Sequence, residues 1–293
     1  MVPAVAAESK ITRYPAVAGM FYEADEKGLR QQIEWSFKHP VGPGKLPEKP
    51  VHPLHEFVGY VSPHAGYLYS GPVAAHSYYR LSQKGVPETI VIAGPNHTGL
   101  GSMVSVMVEG SWMTPLGRVE IDSEFAEALV KHSRYADPDT RAHIHEHSVE
   151  VQIPFLQYIY GDSFRIVPIV MLTQMLRTSE DLASAIIRAA DETGRKIVFI
   201  ASSDFSHYVP YSEAYRRDKH AIDAIIRLDA PGLFEAVEKY EISMCGPGPV
   251  ATLILLAKHY GGTGATLLKY ATSGDTSGDR GMVVGYASIE APA

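Results

Sequence analysis

Apolar residues along this chain come in short dense runs, each followed by a turn-rich segment that carries polar side chains. EFVGYVS, ETIVIAG, RIVPIVML and KIVFIAS have the length and β-branched content of buried strands. SMVSVMVEG alternates and predicts a further strand, with WMTPLGRVEID as a turn and return. TLLKYATSG and GMVVGYASI predict late strands separated by a flexible DTSGDR loop. Helical spacing appears between these runs, first from about Asp25 to Phe37, with Leu29, Ile33 and Phe37 on one side. A second helix is expected to start at Pro72 and run through Tyr79 or Leu81. Asp122 is placed to cap a third, containing Phe125, Leu129 and Val130. Ser148–Ile159 reads as helix bent or unwound at Pro154. Further helices are expected from Ser179 or Glu180 to Ala190, then over about Tyr211–Leu228, Pro231–Tyr240 and Val250–Tyr260.

This alternation predicts an α/β fold: a central mixed or mostly parallel sheet flanked by helices. KHPVGPGKLPEKP reads as an irregular loop, not a domain boundary, and no segment repeats. Residues 1–293 are therefore expected to form a single elaborated α/β domain.

Composition narrows the function. The formal charge is -7, from 26 Lys+Arg and 33 Asp+Glu, with no cluster of basic residues, so nucleic acid is not an expected partner. No apolar run approaches the roughly 20 residues that cross a bilayer, and MVPAVAAESKITRYP is too polar for a signal peptide. One cysteine cannot build an intrachain disulfide framework. A cytoplasmic protein with no membrane partner is expected.

The chemistry gathers where the strands end. In an open α/β sheet, the loops leaving the carboxyl ends of the strands meet in one crevice. His64 follows one strand in PHAGY, His97 follows another in GPNH, and Asp204 and His207 follow a third in SSDFSH. HEHSVE adds His145, His147 and Glu150, and CGPGP holds Cys245 just before an apolar helix. An imidazole suits a metal, and a thiolate favours soft ions such as copper, zinc or iron. A helix N-terminus can favour that thiolate. Asp204 and His207, three apart, read as a carboxylate–imidazole pair for proton transfer. Each residue also has a plainer reading: a histidine bracing a loop, Asn96 or Asp204 capping a turn, a cysteine filling the core. P-loop, H-E-x-x-H and G-x-S-x-G motifs are absent.

Taken together, VAGMFY, PHAGYLYSGPVAAHSY, IAGPNH, TPLG, EHSVEVQIPFLQ, VPIV, SSDFSHY and MCGPGP resemble the Memo family (mediator of cell motility) over nearly the whole chain. The resemblance implies a fold related to the class III extradiol dioxygenases. It implies a metal triad of His64, His97 and Cys245, with His147, Asp204 and His207 lining the same cavity. Copper and iron are the ions associated with the family, and zinc is the alternative. Animal members are linked to phosphotyrosine-peptide binding. Here GPNHTG replaces their GPSHH and CGPGP replaces their CGRHP, which departs from the animal ligand-recognition pattern.

The expected function is a metal-dependent oxidoreductase or oxygen-using enzyme acting on a small molecule. His147, Asp204 and His207 are its expected acid–base residues. The alternatives are a non-catalytic scaffold that binds a peptide or protein partner in the same pocket, and a zinc-dependent hydrolase.

Overall fold

The structure, a computed structural model, describes residues 11–293; the first ten, which open the stretch read as too polar for a signal peptide, lie outside it. Its strands are β1 (Thr12–Arg13), β2 (Val58–Ser62), β3 (Thr89–Pro95), β4 (Val104–Val106), β5 (Ser111–Thr114), β6 (Gly117–Ile121), β7 (Ala136–Pro138), β8 (Arg165–Met171), β9 (Ile197–Ser202), β10 (Thr266–Thr272) and β11 (Gly285–Pro292). All belong to one 11-stranded sheet, whose main path is β1-β5-β6-β8-β3-β9-β2-β11-β10. The central strands β6, β8, β3, β9 and β2 run parallel. β11 and β10 extend the sheet antiparallel at one side. The sheet is therefore mixed, as the alternation of elements predicts. The edge of β8 away from β3 is shared, paired with β6 near its start and with β4 near its end.

The helices are α1 (Glu26–Lys38), α2 (Tyr67–Leu81), α3 (Ser123–His132), α4 (Ile153–Tyr160), α5 (Leu176–Thr193), α6 (Tyr211–Ile226), α7 (Ala230–Lys239), α8 (Pro247–His259) and α9 (Ser273–Ser277). The crossover through α2 steps from β2 over β9 to β3, and that through α5 steps the opposite way, from β8 over β3 to β9. Right-handed crossovers travelling in opposite directions put their helices on opposite faces. α1 and α4 pack with α2, whereas α3 and α8 pack with α5. Covered on both sides, β2, β3 and β9 are buried along their whole length. That is why they read as unbroken apolar runs.

Three local expectations are corrected. α2 begins at Tyr67, five residues before Pro72, so the proline lies inside the helix. Its ring is buried, and packing outweighs the missing N–H. Pro154 sits in the first turn of α4, where no donor is required, so the regular helix starts there after a 3-10 turn at Glu150–Gln152 and does not run through it from Ser148. The first part of DTSGDR belongs to α9, whose start is closed by reciprocal Thr272 and Asp275 bonds.

Beside the sheet, Arg13 and Glu150 form a buried ion pair. The guanidinium also donates to the carbonyls of His143 at 3.0 Å and Glu146 at 2.7 Å, and lies over the Trp112 ring. Glu150 accepts from Ala16 N–H at 2.9 Å, Val17 N–H at 3.1 Å and the Tyr22 hydroxyl. Removing the guanidinium leaves a buried carboxylate with no counter-charge, a loss of about 3–5 kcal/mol. Arg13→Ala should therefore lower the urea midpoint by that much stability; a loss below about 1 kcal/mol, ordinary for a surface pair, would show the pair to be dispensable.

Candidate metal centre

His64, His97 and Asp204 each lie two residues beyond a strand, after β2, β3 and β9 respectively. These strands are neighbours in register, Val61 opposite Ala201 and Ala201 opposite Ala93. Their carboxyl ends thus deliver the three residues to one place. His147 arrives from the segment between the 3-10 turns at Arg141–His143 and Glu150–Gln152, and Cys245 from the residues leading into α8.

The imidazoles of His64, His97 and His147 meet, each offering a nitrogen within 4.8 Å of the others. His97 and His147 stack with centroids 4.4 Å apart, and His64 stands edge-on to both. Phe21 backs His147, with centroids 4.8 Å apart. The Cys245 thiol lies 3.2 Å from His64 Nε2 and accepts from the Asp204 N–H at 3.2 Å. His145, the other histidine of HEHSVE, is exposed.

One buried carboxylate arranges two of the imidazoles. Glu146 accepts from His97 N–H at 2.5 Å and His97 Nδ1 at 2.9 Å, and from the N–H groups of His147 and Ser148, both at 2.8 Å. Because a carboxylate only accepts, His97 carries its proton on Nδ1 and presents Nε2. Burial alone would raise Glu146, but its hydrogen bonds and the His97 charge hold it at about 2. Glu146 is not among the site residues that the sequence singles out. Its position between two histidines was the available signal, but nothing in the spacing says that the chain folds back onto His97.

Asp204 and His207 do not form the expected hydrogen-bonded pair. Asp204 accepts from His64 N–H at 2.8 Å, and His207 Nδ1 donates to the Ser243 carbonyl at 2.8 Å. Burial lifts Asp204 to about 6, against the His64 hydrogen bond and nearby histidines. Burial is also the leading influence on His64 and His147: it lowers His64 well below its usual range and takes His147 to about 4. Both rings are therefore neutral near pH 7, the form that binds metals. Cys245 departs from the thiolate expectation, because burial and then the Asp204 charge push its thiol up. Asn96 closes its own turn: its Oδ1 accepts from the N–H groups of Thr98 and Gly99, and its amide donates to the Leu100 carbonyl.

A mixed α/β sheet with a histidine-rich cluster at the carboxyl edge of its parallel strands defines the class. Within it, the Memo-like protein model matches residues 13–290. A MEMO1 family protein of Methanopyrus kandleri is 55% identical over 277 residues, 94% of this chain and 98% of its own length. Another, from Ignicoccus hospitalis, is 54% identical over 284 residues, covering 96% and 99%. The chain belongs to the Memo family. Among solved structures, an uncharacterized Escherichia coli K12 protein shares the fold, with a TM-score of 0.50, 13% identity, and coverage of 80% of this chain and 98% of its own. Among the described residues, no helix is long and apolar enough to cross a membrane.

Glu146→Gln should expose the carboxylate's structural role. The folded protein holds this acid below its ordinary value of 4.5, so its stabilisation is complete above about 4.5 and lost as pH falls towards about 2. The variant should be less stable at pH 7 by about 1.5–3 kcal/mol, the scale of a hydrogen bond to a charged group. Its deficit should shrink through that acid window. Urea titrations at several pH values measure this, and a deficit that does not change with pH would count against the assignment.

Proposed function

We propose that His64, His97 and Cys245 hold one transition-metal ion, copper or iron, and that the protein is a cytoplasmic oxidoreductase or oxygen-using enzyme acting on a small molecule. The observation that carries this reading is the meeting of three imidazoles within 4.8 Å, beside a thiol 3.2 Å from His64 Nε2. Neutral imidazole and thiolate sulfur together suit these ions. Bound there, the ion would supply Lewis-acid and one-electron chemistry.

The protein's own groups have distinct tasks in this reading. Glu146 orients His97 and fixes its tautomer, as carboxylates behind metal-bound histidines do. His147, stacked on His97 and only partly covered, is placed to accept or give a proton. His207 presents Nε2, because its Nδ1 is engaged by Ser243. Asp204, raised to about 6, holds the His64 backbone and can exchange a proton near neutral pH.

The third imidazole also favours a second reading, a zinc-dependent hydrolase, since three histidines with an open position activate water on zinc. Turnover with iron or copper but not zinc would remove it. A scaffold that only binds a peptide or protein partner would show turnover with none of these ions.

Cys245 supplies the test. Its thiol is protonated near neutral pH, so coordination should release one proton to solvent. Calorimetry of metal binding in buffers of different ionisation enthalpy should detect that proton in the wild type and not in Cys245→Ser. Both Cys245→Ser and His97→Ala should bind copper or iron far more weakly than wild type while keeping the fold. Unchanged metal content and affinity in both variants would remove the His64, His97 and Cys245 assignment.

A further inference from the structure

We propose that Ser202 is a positioning residue: its hydroxyl, locked by Gln152 and the Ser148 carbonyl, fixes His64 in the Nδ1–H tautomer and leaves the Nε2 lone pair facing the centre. The inference concerns the metal-free protein, and rests on the metal reading only for its effect on affinity.

The Ser202 hydroxyl lies 2.6 Å from the Ser148 carbonyl, which can only accept, so the single hydroxyl proton is used there. Two lone pairs remain. Gln152 Nε2 donates to one at 2.8 Å, and His64 Nδ1 lies 2.8 Å away at the other. With no proton left to give, the serine oxygen can only receive, so His64 Nδ1 must be the protonated nitrogen. The neutral ring then carries its lone pair on Nε2, the atom 3.2 Å from the Cys245 sulfur.

The orientation of Gln152 determines whether this holds, because a flipped amide would turn an oxygen toward Ser202. One neighbour excludes the flip. Gln152 Nε2 lies 3.0 Å from the Pro63 carbonyl, so an amide oxygen there would face an acceptor. Its Oε1 receives the Tyr78 hydroxyl, and Tyr78 is itself buried and stacked on Phe155 at 4.7 Å. Each partner is therefore held by a group already committed elsewhere. In the sequence Ser202 ends an apolar strand at the head of SSDFSH and Gln152 lies within EHSVEVQIPFLQ, but nothing in either stretch points to a role in orienting His64.

The test reads the tautomer directly. Two-bond proton–nitrogen correlation spectra of the 15N-labelled, metal-free protein distinguish Nδ1–H from Nε2–H histidine. Wild-type His64 should show Nδ1–H alone. Ser202→Ala should populate the Nε2–H form and weaken Zn(II) binding by about 10–100-fold, the scale for loss of a group that orients a metal-bound histidine. Ser202→Thr, which keeps a hydroxyl, should restore both signals.

Gln152→Met leaves the serine and the Ser148 carbonyl that takes its proton, so Nδ1–H should persist there; the wild-type spectrum by itself tests the assignment if Ser202→Ala does not fold. Wild-type His64 in the Nε2–H form would overturn the proposal, as would an unchanged tautomer in Ser202→Ala. If the wild type shows Nδ1–H yet binds no Zn(II), copper or iron, the positioning role stands and the metal reading fails.

Discussion

The arrangement of the centre depends on a single buried carboxylate. Glu146 collects the backbone and ring N–H of His97 and the backbone N–H groups of His147 and Ser148. In doing so it folds a non-strand segment back over the end of β3. A buried charge is tolerated only when its acceptor capacity is filled, and here backbone and imidazole donors fill it. Without that bond set, His147 would have no reason to face His97, since neither a strand nor a regular helix carries it.

The surroundings reinforce the same segment from its other side. Arg13 donates to the Glu146 and His143 carbonyls while pairing with Glu150, and Glu150 in turn holds the backbone at Ala16 and Val17. The turn that follows brings Phe21 against His147. Residues near the start of the chain thus shape one wall of a site built mainly from the middle and the end. Two acidic residues four apart do different work: Glu146 orients the imidazoles, and Glu150 fastens the N-terminal turn.

The three oriented histidines are not equivalent. His97 is backed by a carboxylate, His64 by a serine hydroxyl and His207 by a backbone carbonyl. A charged acceptor strengthens the donor character of the ring it holds more than a neutral one does. His64 is also the most enclosed of the three, 2% exposed against a partly open His97, so it meets solvent least. The centre therefore has a deep, weakly polarised imidazole beside the thiol, and a more exposed, strongly polarised one.

The strand runs and the residues just after them were legible in the sequence for a physical reason. Strands covered on both faces must be apolar throughout, and polar residues can appear only where the strand ends, so EFVGYVS, ETIVIAG and KIVFIAS marked both the sheet and the positions of His64, His97 and Asp204. The local pattern also fixed the Asp122 cap and the Asp25 helix start. Pro72 and Pro154 were misread because proline reports only a missing donor and a fixed φ, while helix limits depend on what packs around it. Tertiary structure alone decided the partnerships. Asp204 and His207 are three apart in sequence yet bond to other groups, whereas Glu146 reaches His97 across 49 residues. Hydrogen bonds are satisfied by whichever donors and acceptors the folded chain brings within about 3 Å, and spacing along the sequence does not contain that distance.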